Sequence, residues 1–177
     1  MRANMVSHAQ ATNAKKSSHD GGLLVGIARE AGTYCLILRA DKPQRIQVGR
    51  WGMLDVQPGY YLYVGSAFGR GGVNARVSRH CRETQARHWH VDYLRDVAVP
   101  VEVWCGYDSR DLEHRWAELL AGMRGVSSVP GFGCSDCKCE SHLFTSLGEP
   151  DFECFCAVAG TPLDVCSLRP VAERVNC

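Results

Sequence analysis

The sequence contains no apolar run that approaches the roughly 18 to 20 residues needed to cross a bilayer. Its N-terminal stretch, MRANMVSHAQATNAKKSSHDGG, has no apolar segment of the kind found in a secretory signal. No internal repeat is visible, and no low-complexity tract follows that stretch. These absences argue against a membrane protein, a secreted protein and a repeat array. We therefore expect a cytoplasmic protein without a membrane partner.

The chain has ten cysteines. A disulfide framework would be expected only together with a secretory signal, and none is visible. Metal ligation or buried reduced thiols are then the expected uses of cysteine. The stretch CSDCKCESH contains four zinc-compatible side chains, which are Cys134, Cys137, Cys139 and His142. Their spacing would need a very tight loop, and Cys154 and Cys156 are alternative ligands. A zinc site and a set of buried thiols with a structural His142 both remain open.

Short runs of alternating and β-branched residues predict a small central antiparallel sheet flanked by helices, an α/β domain of the α+β type. The predicted strands are residues 32–40, 45–49, 60–65 and 99–107. Helices are predicted at residues 73–83 and, as a short helical turn, at 88–94. A third predicted helix is capped by Ser109, and its apolar face consists of Leu112, Trp116, Leu119, Leu120 and Met123. We expect a disordered tail over residues 1–21, a domain over 22–147 and an irregular extension over 148–177.

Two tyrosines stand beside glycines in neighbouring predicted strands, in the stretches GTY and YVG. In most sheets Tyr34 and Tyr63 would be packing residues. Gly32 and Gly65, however, leave the backbone open beside each ring, so a ligand could approach there. Both interpretations remain open for either tyrosine alone.

The helix after YVG carries ARVSRH, which puts Arg76 and His80 one turn apart at the edge of its buried face. An exposed Arg is most often a surface charge, but its fork of donors also suits phosphate. His80 either packs or shuttles a proton. Glu113, in the first turn of a later helix, is either a partner of the helix dipole or the carboxylate that holds one Mg²⁺ or Mn²⁺.

The segment from Arg70 to Arg95 contains six arginines against two acidic residues, a local net charge of +4. Such a segment is either a solvated helix face or a positively charged surface that binds phosphates. In the second interpretation, the candidate nucleic-acid-binding residues are Arg70, Arg79, Arg82, Arg87, His88 and His90.

Together, GTY, YVG, the Arg and His of ARVSRH and a helical Glu resemble the GIY-YIG nuclease superfamily. Thr33 departs from the family pattern, because the family usually has an apolar residue there. Two further stretches, SDCKCESHLF and HWHVDYL, resemble an uncharacterised, Uri-like endonuclease branch of this superfamily. The first stretch matches the SDCxCxSHLF motif of that branch. The resemblance covers residues 30–147.

The resemblance implies a metal-dependent endonuclease that hydrolyses the phosphodiester bonds of nucleic acid, with DNA as the expected partner. Tyr34 and Tyr63 would be paired active-site tyrosines, one of which helps to deprotonate the attacking water. Arg76 would stabilise the charged phosphorane-like state, and His80 would assist proton transfer. Glu113 would ligate the single divalent ion, Mg²⁺ or Mn²⁺.

Many members of the family carry a late active-site Asn after the metal-binding Glu. We identify no match to this Asn in the sequence. A further histidine often follows the first, and His88 and His90 both flank that position. The missing Asn favours an alternative, a non-catalytic nucleic-acid-binding module. The cysteines favour another, a zinc-stapled interaction domain without nucleic acid.

Overall fold

The structure is a computed structural model, and it describes residues 15–16, 19–20, 23–24, 26–82, 87–107 and 112–168. The strands are β1 (Lys15–Lys16), β2 (His19–Asp20), β3 (Leu23–Leu24), β4 (Gly32–Ala40), β5 (Gln44–Val48), β6 (Gly52–Val56), β7 (Gly59–Ala67), β8 (Val99–Gly106), β9 (Val126–Ser128), β10 (Leu143–Ser146) and β11 (Asp164–Ser167). The helices are α1 (Gly72–Cys81), α2 (His90–Leu94), α3 (Leu112–Gly122) and α4 (Phe152–Ala159).

The main sheet has the strand order β1-β11-β8-β4-β7-β10-β9. Its neighbouring strands are antiparallel, except that β1 and β11 are parallel. The central strands β4 and β7 pair along their whole length, with Tyr34 opposite Gly65 and Leu36 opposite Tyr63. This pairing brings the two stretches that contain the candidate tyrosines side by side.

Helices cover both faces of the main sheet. Side chains alternate along β4, so this strand contributes residues to the packed core on each face. Leu36 and Leu38 belong to a buried cluster that includes residues of α1 and α2. Cys35 and Ile37, on the opposite face, belong to a second cluster that includes residues of α3 and α4. The predicted α+β architecture, a central antiparallel sheet flanked by helices, is confirmed.

The predicted strand at residues 45–49 does not join the central sheet. β5 pairs with β6 in a separate two-stranded sheet, whereas β4 pairs directly with β7 and β8. Since β4 already uses both of its edges, no position beside it is left for β5. The largely exposed residues of β5 fit a peripheral hairpin.

The C-terminal region also differs from the predicted irregular extension over 148–177, since it contains α4 and β11. The Asp151 carboxylate caps α4 by accepting from the backbone N–H of Cys154 at 2.9 Å. The helix ends at Gly160, whose φ of 67° is the left-handed conformation that glycine adopts most easily. Phe155 of α4 is fully buried and anchors the helix on the sheet.

Residues 1–14 of the predicted tail, and the predicted helix cap Ser109, lie outside the described residues. Within the predicted tail, β1 pairs with β11 and β2 pairs with β3. Among the residues that the structure describes, no helix is long and apolar enough to cross a membrane.

Candidate active site

A cleft of about 260 Å³ lies at the end of β7, where α1 and the first turn of α3 approach from opposite faces of the sheet. The residues that line it are Tyr34, Tyr63, Gly65, Ser66, Arg76, Trp89, Glu113, His114, Gly133, Asp136, Cys137 and His142. Four of the five predicted catalytic residues are in this set. The fifth, His80, lies directly behind Tyr34, so the structure brings all five together.

Tyr34 is almost completely buried, and its hydroxyl lies 2.9 Å from Nε2 of His80. Burial raises the pKa of Tyr34 well above its ordinary value, and the neighbouring Tyr63 adds to this, although Arg76 opposes it. Burial also raises the pKa of Tyr63. Both phenols are therefore neutral at physiological pH, and neither acts as a preformed phenolate base.

His80 is fully buried, rather than at the edge of the helix face as predicted. Its Nδ1 lies 3.4 Å from Oδ1 of Asp92, within ion-pair distance but without hydrogen-bond geometry. Burial lowers the pKa of His80, and this outweighs the contact with Asp92 that raises it. A neutral ring with its proton on Nδ1, beside the carboxylate, leaves Nε2 able to accept from Tyr34.

Asp92 is the centre of a buried charge cluster that sequence reasoning missed. Its carboxylate lies 3.1 Å from Nη1 of Arg79 and 3.6 Å from Nη1 of Arg95, and it accepts the backbone N–H groups of His88 and Trp89. Burial alone would raise the pKa of Asp92, but the neighbouring His80 ring and the backbone N–H groups of His88 and Trp89 hold it far below its ordinary value. Its contacts with Arg79 and His80 join two different helices, so no local sequence pattern indicated them.

Trp89 provides an aromatic surface for two arginines of α1. The guanidinium carbon of Arg76 lies 4.1 Å from the centre of the indole ring, and that of Arg79 lies 4.3 Å from it. Arg76 also lines the cleft beside Tyr34, whose pKa its charge lowers. Arg79, which is predicted to bind nucleic acid, has its charge paired with Asp92.

Glu113 lies in the first turn of α3 and is half-buried. Its Oε1 is 3.2 Å from Nδ1 of His142, and Ser66 lines the same cleft. Burial alone would raise the pKa of Glu113, but its polar neighbours His142 and Ser66 lower it below its ordinary value. The carboxylate is therefore anionic at neutral pH and is one of the cleft-lining groups.

A group of Cys and His side chains that could hold a metal ion lies beside Glu113. It consists of His114, Cys137, Cys139 and His142, whose ligand atoms all lie within 4.8 Å of one another. Three of these were predicted as zinc ligands, but the fourth predicted ligand, Cys134, is replaced by His114 of α3. The Cys134 thiol instead points to the carbonyl oxygen of Phe132 at 3.5 Å. Local spacing could not reveal His114, because it is distant in sequence from the cysteines.

A model of the protein family described as "Domain of unknown function DUF123" matches residues 33–160. The chain belongs to the DUF123 family. The match begins within β4 and ends at Gly160, the residue after α4, so the DUF123 region contains every residue that lines the cleft. The searches among curated proteins and among solved structures gave no match.

The remaining predicted nucleic-acid-binding residues of this DUF123 chain lie in different environments. Arg70 and Arg82 are exposed, and Arg87 pairs with Asp96 while its guanidinium lies over the ring of Tyr93. His88 is exposed, whereas Nδ1 of His90 accepts from the backbone N–H of Gly133 at 3.2 Å.

A larger cleft of about 600 Å³ adjoins the first, since Trp89 lines both. Arg87, His88 and His90 line this second cleft, together with Arg50 and Trp51, which sequence reasoning had not selected.

The glycines of GTY and YVG have a different role from the one expected, which was to let a ligand approach the backbone. A Cβ at Gly32 would lie 2.3 Å from the carbonyl oxygen of Gly106 on the neighbouring strand. A Cβ at Gly65 would lie 2.6 Å from the hydroxyl oxygen of Tyr34. The absent side chains therefore make room for β8 and for Tyr34, respectively.

Gly65→Ala is expected to destabilise this DUF123 domain by about 1–3 kcal/mol, because Tyr34 is buried and cannot move away without losing its bond to His80. Urea unfolding measures the change. Gly69→Ala is the matched control, because nothing lies within 4 Å of a Cβ there. Equal stability of the two variants would contradict the steric role of Gly65.

Proposed function

We propose that the protein is a metal-dependent endonuclease that hydrolyses the phosphodiester bonds of nucleic acid, with DNA as its substrate. We also propose that the DUF123 family is a Uri-like branch of the GIY-YIG nucleases. The observation that carries the proposal is the cleft, where side chains of β4, β7, α1 and α3 meet as Tyr34, Tyr63, Arg76 and Glu113. A guanidinium, a carboxylate and two phenols can bind, position and stabilise a reacting phosphodiester.

In this proposal Arg76 binds the phosphate. Stacking on Trp89 uses the face of the guanidinium, so its N–H edge is directed to oxygen acceptors. Its charge then stabilises the additional negative charge that develops on the phosphate oxygens during attack by water. A lysine could supply the charge but not the same combination of stacking and paired donors.

Tyr34, His80 and Asp92 form the proposed path for the proton of the attacking water. A water molecule that donates to Tyr34 Oη can transfer its proton there while the phenolic proton passes to Nε2 of His80, which lies 2.9 Å from Oη. Asp92 then stabilises the imidazolium that forms. This relay assigns Tyr34 a role that is consistent with its neutral hydroxyl.

Glu113 is the residue that would hold the catalytic divalent ion. Its anionic carboxylate lines the cleft, and a carboxylate with substrate phosphates and water is the ligand set that suits Mg²⁺ and Mn²⁺. The hydrogen bond from His142 uses only part of the acceptor capacity of the carboxylate. When bound, the ion would neutralise charge on the reacting phosphate.

We propose Zn²⁺ as the ion of the Cys/His cluster, because two thiolates and two imidazoles are soft ligands that suit zinc rather than Mg²⁺ or Mn²⁺. The same cluster favours a second candidate function, a zinc-stapled interaction domain that binds no nucleic acid. A cleavage assay distinguishes the endonuclease from the interaction domain. An interaction domain would not cut nucleic acid, because its function requires none of Tyr34, Arg76 or the proton path.

The second cleft is the proposed path of the nucleic-acid strand away from the cleavage site. Arg50 and Arg87 supply positive charge there, and Trp51 and Trp89 supply aromatic surfaces on which bases can stack. The shared Trp89 makes the two clefts adjacent. We expect the enzyme to act in the cytoplasm.

Arg76→Ala is expected to slow cleavage by about 10²–10³-fold, because the phosphate loses its charged donor. Stability should fall by about 1 kcal/mol, the size of one partly exposed cation–π contact. A nicking assay and urea unfolding on the same preparation measure both quantities. Arg45→Ala is the control, because Arg45 pairs with Asp55 on the surface of the separate hairpin. A variant that simply unfolds would assign Arg76 a structural role.

A further inference from the structure

His142 contacts two groups of different chemistry through its two ring nitrogens. Its Nε2 lies 3.3 Å from Sγ of Cys137, and its Nδ1 lies 3.2 Å from Oε1 of Glu113. The residue is only 3% exposed, so these two contacts and the surrounding core fix its ring orientation. His142 thus connects the Cys/His cluster to the proposed catalytic carboxylate.

The Cys/His cluster has dimensions close to those of a tetrahedral zinc site. Zn–S bonds of about 2.3 Å and Zn–N bonds of about 2.0 Å require ligand atoms to be separated by roughly 3.3–3.8 Å. In the structure Nδ1 of His114 lies 3.1 Å from Sγ of Cys139, and Nε2 of His142 lies 3.3 Å from Sγ of Cys137. All four ligand atoms lie within 4.8 Å of one another, so small side-chain shifts close the site.

The four ligands come from two parts of the fold. His114 follows Glu113 directly in α3, whereas the other three belong to the loop between β9 and β10. An ion shared by them would tie this loop to the first turn of α3. That turn is where the carboxylate enters the cleft.

We propose that Zn²⁺ at His114, Cys137, Cys139 and His142 positions Glu113 for the catalytic ion. This inference rests on the proposed function. With Nε2 bound to zinc, His142 donates its Nδ1–H to Glu113, the arrangement in which a metal-bound histidine is oriented by a carboxylate. His142 is then a positioning residue that acts through Glu113, and the two metal sites are coupled.

The test compares wild-type full-length chain with Cys139→Ser and Cys134→Ser. Elemental analysis measures zinc per chain, and the electron paramagnetic resonance signal of free Mn²⁺ measures Mn²⁺ affinity. We expect Cys139→Ser to lose its zinc and to bind Mn²⁺ about tenfold more weakly. Cys134→Ser, which removes a nearby thiol outside the cluster, should match the wild type in both measurements.

A second variant covers the case in which Cys139→Ser does not fold. His114→Ala removes an exposed side chain, so little packing is lost. It should also reduce zinc content and Mn²⁺ affinity. In the wild type, Co²⁺ substituted for zinc should give thiolate-to-cobalt charge-transfer absorption, which a site without cysteine ligands would lack.

The reciprocal measurement removes the carboxylate. Glu113→Ala should weaken zinc binding by about 10–100-fold in competition with a chelator, because His142 loses the partner of its Nδ1–H. This readout requires no cleavage activity. Unchanged zinc affinity would overturn the coupling.

The remaining outcomes distinguish the zinc inference from the proposed function. Zinc retained by both Cys139→Ser and His114→Ala, or lost from Cys134→Ser, would overturn the ligand set. Zinc loss with unchanged Mn²⁺ affinity would overturn the coupling while cleavage by the wild type still supported the proposed function. A zinc-loaded wild type that neither binds Mn²⁺ nor cleaves would overturn the proposed function and the coupling with it.

Discussion

The Glu113→Gln protein is expected to bind DNA with wild-type affinity and to cut it about 10³-fold more slowly, since charge stabilisation by a metal ion is worth several kcal/mol. Binding should persist because arginines outside the metal site hold the phosphate backbone, and it should weaken with added salt. Glutamine keeps an acceptor oxygen for Nδ1 of His142, so the neighbouring cluster is disturbed less than by alanine. A gel assay of binding and cleavage on one substrate, across a Mg²⁺ and Mn²⁺ titration, measures both effects.

Glu118→Gln is the matched control for this experiment. Glu118 lies on the same helix but is exposed, and it does not line the cleft. Its removal should leave both the cleavage rate and the metal requirement unchanged. Undiminished cutting by Glu113→Gln would refute the assignment of Glu113 as the metal ligand.

Asp92→Asn is expected to destabilise the fold by about 3 kcal/mol or more, because it removes one side of a buried ion cluster. The carboxylate is 2% exposed, and it faces Arg79 and Arg95, whose side chains are 25% and 10% exposed. Two guanidinium groups would then remain in the protein with a weaker partner. Urea unfolding measures the loss of stability.

The control is Asp96→Asn, since Asp96 pairs with Arg87 and both side chains are nearly half exposed. Exposed pairs contribute about 0–1 kcal/mol, so this variant should remain close to the wild type. Similar losses for the two variants would contradict the special role of the buried cluster.

Acid unfolding should depend on the same carboxylate. The pKa of Asp92 lies below its ordinary value in the folded state, so the unfolded chain binds more protons around pH 4. The contribution of Asp92 is therefore fully present above the unfolded pKa of about 3.9 and is lost as the pH falls below it. The stability of Asp92→Asn should change less than that of the wild type between about pH 5 and pH 3. An unfolding series in urea across that range tests the sign.

Sequence reasoning succeeded where local patterns were strong. β4 and β7 are rich in strand-forming residues, and the apolar spacing in α3 places Leu112, Trp116 and Leu120 in the core, as the structure confirms. Two end signals of α4, the capping residue Asp151 and the terminating Gly160, are also visible in the sequence and could have indicated this helix. The pairing of β5 with β6 depended on competition for the edges of β4, which no local pattern contains.

The site was predictable only in the residues that a family motif or a local group of metal-ligand types contains. Asp92 contacts Arg79 from a different helix, Trp89 gains its role only by stacking with α1, and His114 meets Cys139 across 25 positions. Such contacts arise from the packing of elements that are far apart in sequence. For the same reason, the sequence suggested Cys134 as a ligand where the fold instead supplies His114.

The most direct test of the central claim is cleavage by the wild-type protein itself. Purified protein is incubated with supercoiled DNA, single-stranded DNA, branched DNA and RNA, with Mn²⁺ or with a chelator, and the products are resolved on gels. The proposed function predicts Mn²⁺-dependent nicking of a DNA substrate that the chelator abolishes. Absence of cleavage on every substrate, from a folded protein that binds Mn²⁺, would contradict it.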